Sequence, residues 1–182
     1  MITMHHHIES TENKLNNYFH YQSSKSLMDQ MCLLKTAIEK KGSSGNLKIT
    51  FDDGLKSQLT AYKILNDLGL QGFFYYNSST LTSKNVLNVH LAHILLKSLD
   101  QTRKKILLDD LQNNMAHTGD YHTGEFVYRK QGTFSIDQKI KYIVNYVRVD
   151  EEIDQILKFY LDVTSEGSLA SINSQIYMNY DD

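Results

Sequence analysis

The triplet Asp52-Asp53-Gly54 most restricts how this chain can fold. It follows directly on Leu47-Lys-Ile-Thr-Phe51, whose alternation of apolar and polar residues reads as a strand. An amphipathic helix comes next, with Ala61, Ile64, Leu65 and Leu68 on one face and Gly69 as its natural C-cap. Gly72-Phe-Phe-Tyr-Tyr76 is then a second strand, rich in β-formers. Strand, helix and strand within about 30 residues make a βαβ unit, and hence parallel strands.

The flanking sequence extends this pattern on the N-terminal side. Residues 1–8 read as a short strand ending in a histidine cluster, and residues 9–25 as a polar loop. From Ser26, a plausible N-cap, the pattern is helical, with Leu27, Met31, Leu34 and Ile38 on one face. Gly42 to Gly45 reads as a flexible loop. After residue 80 the character changes. Residues 86–99, 103–115, 136–147 and 150–161 all carry helical spacing, clearest in Ile136, Ile140, Ile143, Val144 and Val147. Between them, Asn113 to Gly132 reads as loop. The expected organisation is an α/β part over 1–80 and a largely helical region over 81–182.

Composition bounds the functional classes. With 19 basic and 21 acidic side chains, the net charge near −2 gives no reason to expect a nucleic-acid partner. The longest apolar run is a few residues, so no membrane-spanning helix is expected. The N-terminus lacks a basic stretch followed by an apolar core, so no secretory signal is read and the cytoplasm is the expected compartment. The single cysteine, Cys32, makes neither an internal disulfide nor a cysteine zinc site, and its apolar helical setting predicts a buried thiol. Proline is absent where average usage predicts roughly nine residues, and no structural argument rests on that.

Two adjacent carboxylates at the end of a buried strand repel each other and raise one pKa unless a cation or hydrogen bonds compensate. In parallel α/β folds that strand end is where active sites gather. A divalent metal would relieve the repulsion, with one carboxylate as ligand and the other as base toward metal-bound water. The plainer alternative is a surface turn in which an Asp caps the following helix. Tyr75, Tyr76 and the other tyrosines could stack on sugar rings, although core and strand packing is the better expectation for most of them.

The stretch Ile49-Thr-Phe-Asp-Asp-Gly54 resembles the first motif of the polysaccharide deacetylases, the NodB-homology group of the fourth carbohydrate esterase family. His5-His-His-Ile8 is similar to the histidine-containing stretch that opens many members, with His6 at the family histidine. Leu27-x-x-Gln30 followed by Leu33-Leu34-Lys35 looks like the family's first helix, and Ala61 to Tyr76 its next helix and aromatic strand. Val89-His90-x-x-His93 and Ile176-Tyr177-Met178 look like a subgroup with a helical insertion after the second strand. The resemblance is strong over 1–80 and weak from there to 182. It implies a partial NodB-type (β/α) barrel of parallel strands followed by a helical insertion. It also implies Asp52 as catalytic base, Asp53 as ligand of a divalent metal, most simply zinc, and His6 near substrate or metal.

Departures from the pattern shape the functional expectation. The family's second motif, His-Ser/Thr-x-x-His, supplies both metal histidines and has no clear counterpart. His90 and His93 are one residue too close, and His117 and His122 one residue too far apart. These four are the remaining ligand candidates, with helix packing or surface placement as the alternative. The later motifs, including the general-acid histidine, have no counterpart. The 182 residues also fall short of the roughly 200 that a (β/α) barrel needs. The expected function is therefore a metal-dependent deacetylase-like protein acting on N-acetylated glycans, truncated and weakly active or inactive. The alternatives are a non-catalytic glycan- or protein-binding remnant, and one half of a split enzyme completed by a second chain.

Overall fold

A computed structural model describes residues 2–5, 8, 19, 22–41, 48–115, 135–146, 150–164 and 166–181. The elements are β1 (Ile2–His5), α1 (Ser24–Lys41), β2 (Lys48–Phe51), α2 (Gln58–Leu68), β3 (Gly72–Phe74), α3 (Ser78–Thr82), α4 (Asn88–Ser98), α5 (Gln101–Met115), α6 (Ile136–Tyr146), α7 (Asp150–Asp162) and α8 (Leu169–Ile176). The three strands form one parallel sheet in the order β1-β2-β3. The chain is thus mixed α/β and mostly helical. Among the described residues the sheet stays open, with β1 and β3 at its edges. No helix is long and apolar enough to cross a membrane among the described residues.

The chain divides into two compact units, Met1–Asn85 with Leu169–Asp182, and Val86–Ser168. The C-terminal segment, which sequence spacing groups with the helical region, thus belongs to the unit that holds the sheet.

In the first unit, β-strand alternation turns Ile49 and Phe51 to one face of β2. There they are buried with Leu27 and Met31 of α1, Ala61, Ile64 and Leu65 of α2, and Ile8. Phe51 stacks on Phe74 of β3, with ring centroids 4.6 Å apart. Burial of each such side chain is worth about 1.5–3 kcal/mol, which is what holds the two helices against the strands. Gly69 closes α2 as expected, in the left-handed conformation (φ 65°), with Leu70 N–H donating to Leu65 O at 2.9 Å. α1 begins two residues earlier than the spacing suggests. Ser23, rather than Ser26, caps it, its Oγ accepting from Ser26 N–H at 3.1 Å.

Cys32 is exposed, not buried. It follows Met31 by one helical step of about 100°, which turns it off the Leu27–Met31 face toward solvent. Leu33, next along the chain, is likewise exposed. Of the expected loop over 113–132, residues 113–115 instead close α5, and the remainder, like the expected loop at 42–45, lies outside the described residues.

In the second unit α4, α5, α6 and α7 pack on one another. Leu91, Ile94, Leu95, Leu107, Leu111, Ile140, Leu157 and Leu161 are buried. Asp100 caps α5 through Arg103 N–H (2.8 Å), and Ser135 caps α6 by a reciprocal exchange with Gln138. Polar links cross between these helices. Lys104 Nζ donates to both carboxylate oxygens of Asp137 at 3.1 and 3.2 Å, and Tyr160 O–H donates to Asp110 Oδ2 at 2.5 Å. Burial, and then the Asp110 carboxylate, hold the Tyr160 hydroxyl protonated well above the usual tyrosine range.

Candidate functional site

Asp52 and Asp53 stand at the C-terminal end of β2, the central strand, and both are half-buried. The Oδ1 of Asp52 is shielded from solvent. Strand alternation puts Asp52 on the same face as Thr50, opposite the Ile49–Phe51 core face. In register, Thr50 pairs with Phe73, and the ladder continues with Tyr75 N–H donating to Phe51 O at 2.7 Å. Phe73 and Tyr75 thus flank the face that carries Asp52.

The turn itself is unusual. Asp53 (φ 68°) and Gly54 (φ 62°) are two successive left-handed residues. For a residue with a Cβ this conformation costs about 1–2 kcal/mol, and Asp is among the few side chains that adopt it. Position 54 admits glycine alone, because a Cβ there would lie 2.7 Å from the Cβ of Tyr76. The left-handed pair reverses the chain between β2 and α2 and stands both carboxylates at the mouth of the sheet.

The turn is tied down from two directions. Gln58, the first residue of α2, is fully buried. Its Nε2 donates to Asp52 O at 2.5 Å, and its Oε1 accepts from Leu55 N–H at 3.3 Å. From the C-terminal segment, Met178 N–H donates to Gly54 O, and Ile176 O accepts from Lys56 N–H, each at 2.8 Å. This makes an isolated antiparallel bridge between Leu55 and Tyr177, both about 1% exposed. Asn173 fastens the same segment, its buried Nδ2 donating to Thr80 O at 2.9 Å and Asn85 O at 2.7 Å.

The sequence-derived histidines distribute unevenly. His5 ends β1 opposite Phe51, so the β1 terminus lies level with the residue before Asp52. His6, His117 and His122 lie outside the described residues. His90 and His93 lie on α4 of the second unit, His90 buried and His93 half-buried. Among the described residues, no group of three or more His, Cys, Asp or Glu is placed to hold a metal ion. A catalytic zinc takes three protein ligands, so the two aspartates need further donors to complete such a centre.

Tyr75 and Tyr76 are 55% and 66% exposed, so they are not among the tyrosines that pack internally. The reason is positional: β3 is a three-residue edge strand that ends at Phe74, and only Phe74 reaches the core. The role of Gln58 was not anticipated. A signal for it exists, since Gln58, Ala61 and Leu65 fall on one helical face and a glutamine there interrupts an otherwise apolar stripe.

Comparison of the chain with protein-family models, curated proteins and solved structures gives no significant match.

Proposed function

We propose that the Asp52-Asp53 turn belongs to a metal-dependent hydrolase of the polysaccharide-deacetylase type, acting on N-acetyl groups of a glycan. The observation that carries this reading is the placement of the two carboxylates, held in a left-handed turn at the C-terminal end of the central parallel strand. A surface turn with a capping Asp needs neither the strained Asp53 nor the buried Gln58 behind it. On this reading the three strands are the opening part of a NodB-type barrel.

Asp53 contributes one carboxylate to a divalent ion, most simply zinc, whose other donors come from outside the described residues. His6, one residue beyond the end of β1 in sequence, is the donor that the family resemblance supplies. A bound ion of this kind supplies Lewis acidity toward an acetamido carbonyl and the attacking water. Asp52, with its shielded Oδ1, accepts the proton of that water. With a donor set short of three, weak or absent turnover is the expected state of this chain.

The test is acetate release from an N-acetylglucosamine oligomer by the zinc-loaded full chain. Slow release that Asp52→Asn reduces to the blank is expected. Release unaffected by Asp52→Asn contradicts the base assignment, and rapid turnover would return the remaining histidines as full ligands. A second reading, glycan or protein binding without turnover, is favoured by the exposed Phe73, Tyr75 and Tyr76 beside the turn. Among the described residues β1 and β3 are edge strands, which favours completion of the sheet by further strands, including those of a second chain.

A further inference from the structure

We infer that Gln58 and the C-terminal segment 173–178 are positioning elements of the Asp52-Asp53 site, fixing the direction of the two carboxylates by clamping the peptide planes on either side of the left-handed pair. The functional meaning rests on the hydrolase reading above; the clamp itself does not.

The conformation of Asp53 and Gly54 is bounded by the two flanking peptide planes, the one between 52 and 53 and the one between 54 and 55. The first is held at its oxygen, Asp52 O, by Gln58 Nε2. The second is held at both ends, Gly54 O by Met178 N–H and Leu55 N–H by Gln58 Oε1. One side chain therefore bridges both planes, and a backbone segment more than 120 residues away fixes the far end of the second. With both flanking planes pinned, relaxation of the pair is confined to the peptide between 53 and 54. Strain of this kind persists only where surrounding contacts over-determine it.

Burial supports the assignment. Gln58 is 0% exposed, and a buried amide is costly unless bonded, so its place on the apolar face of α2 needs a purpose. Asn173, 8% exposed, spends both amide hydrogens on the carbonyls of Thr80 and Asn85. That anchors α8 and delivers Ile176 to Met178 to the turn. The segment 173–178 thus serves the site although it touches neither aspartate side chain in any contact described above.

The experiment uses the full chain and reads the backbone amides of Asp53, Gly54 and Leu55 by NMR, without metal, and then Mn2+ affinity at the turn. Gln58→Leu is expected to shift these amides and to cut hydrogen-exchange protection of Leu55 N–H by about tenfold, while α1 and β2 keep theirs. Gln58→Glu supplies a pH-dependent rescue. Protonated, its O–H donates to Asp52 O and its carbonyl accepts from Leu55 N–H; ionised, it presents a charge to that carbonyl. Wild-type amide shifts at low pH that are lost as the new carboxyl ionises are expected, a signature that simple loss of packing would not produce. Asn173→Ala is expected to reduce protection of Met178 N–H. Unchanged Asp53 and Gly54 amides in Gln58→Leu, or pH-independent shifts in Gln58→Glu, would overturn the clamp. A clamp response with no Mn2+ binding in the wild type would leave the positioning intact and remove the hydrolase reading instead.

Discussion

In the helical unit, α4 to α7 bury Leu91, Leu95, Leu107, Ile140 and Leu157 among themselves, and its exposed apolar residues are scattered, with Ile106 on α5, Tyr146 on α6, Phe159 on α7 and Val163 just past it. In the sheet unit, Ile49 and Phe51 of β2 are buried against α1 and α2 and Thr50 on its other face is buried as well, while Phe73, Tyr75 and Tyr76 around the β3 edge stand exposed in nearly unbroken sequence. Parallel sheets are ordinarily covered on both faces. The difference separates two uses of the chain. One unit spends its apolar residues on closing a core. The other keeps aromatic surface and two carboxylates together at the end of its strands, and holds a strained turn there.

The strained turn is where the contrast breaks most sharply. Gly54→Ala places a Cβ 2.7 Å from Tyr76 and forces an alanine to φ 62°, so it is expected to cost about 3 kcal/mol. Urea unfolding followed by far-UV circular dichroism measures it. A loss below about 0.5 kcal/mol would mean that the turn relaxes and that the two units do not differ in this respect.

The polar links of the helical unit are ordinary stabilisers. Tyr160→Phe is expected to cost about 1 kcal/mol at neutral pH through loss of the bond to Asp110. The pH dependence follows from the raised hydroxyl. Folding holds the proton that the unfolded chain releases near pH 10, so this contribution is complete below about pH 10 and declines as pH rises beyond it. Stability of the wild type is expected to fall more steeply above pH 10 than that of Tyr160→Phe. Parallel curves would place Tyr160 in a solvent-like setting. At the small end of the scale, Tyr75→Ser is expected to change stability by less than about 0.5 kcal/mol, because Tyr75 is 55% exposed. A loss beyond about 1 kcal/mol would show that its face is covered and remove the asymmetry between the units.

Much of the first unit was legible because its signals are local. Alternation placed β2, helical spacing placed the Leu27–Met31 and Ala61–Leu65 faces, and Gly69 marked the end of α2. The Asp-Asp-Gly turn was legible for the same reason, lying between a strand and a helix that are both strongly patterned. The rest depends on contacts that spacing does not carry. Cys32 looked buried because its neighbours are apolar, yet a single helical step turns it outward. Gly72 to Tyr76 read as one strand, but the strand ends at Phe74. Gln58 and Asn173 are polar side chains whose purpose lies in backbone carbonyls and amides brought close by the fold. The return of residues 169–178 to the sheet unit has no local signature at all.

The proposed role of Asp53 is ligation of a divalent ion, with Asp52 as the proposed base beside it. Paramagnetic broadening by Mn2+, a carboxylate-seeking ion, reads this residue by residue and separates the turn from the His5-His6-His7 cluster. The expected result is broadening centred on the amides of Asp52, Asp53 and Gly54 that Asp53→Asn abolishes while the fold is retained. Broadening confined to other residues, or unchanged in Asp53→Asn, would contradict the account.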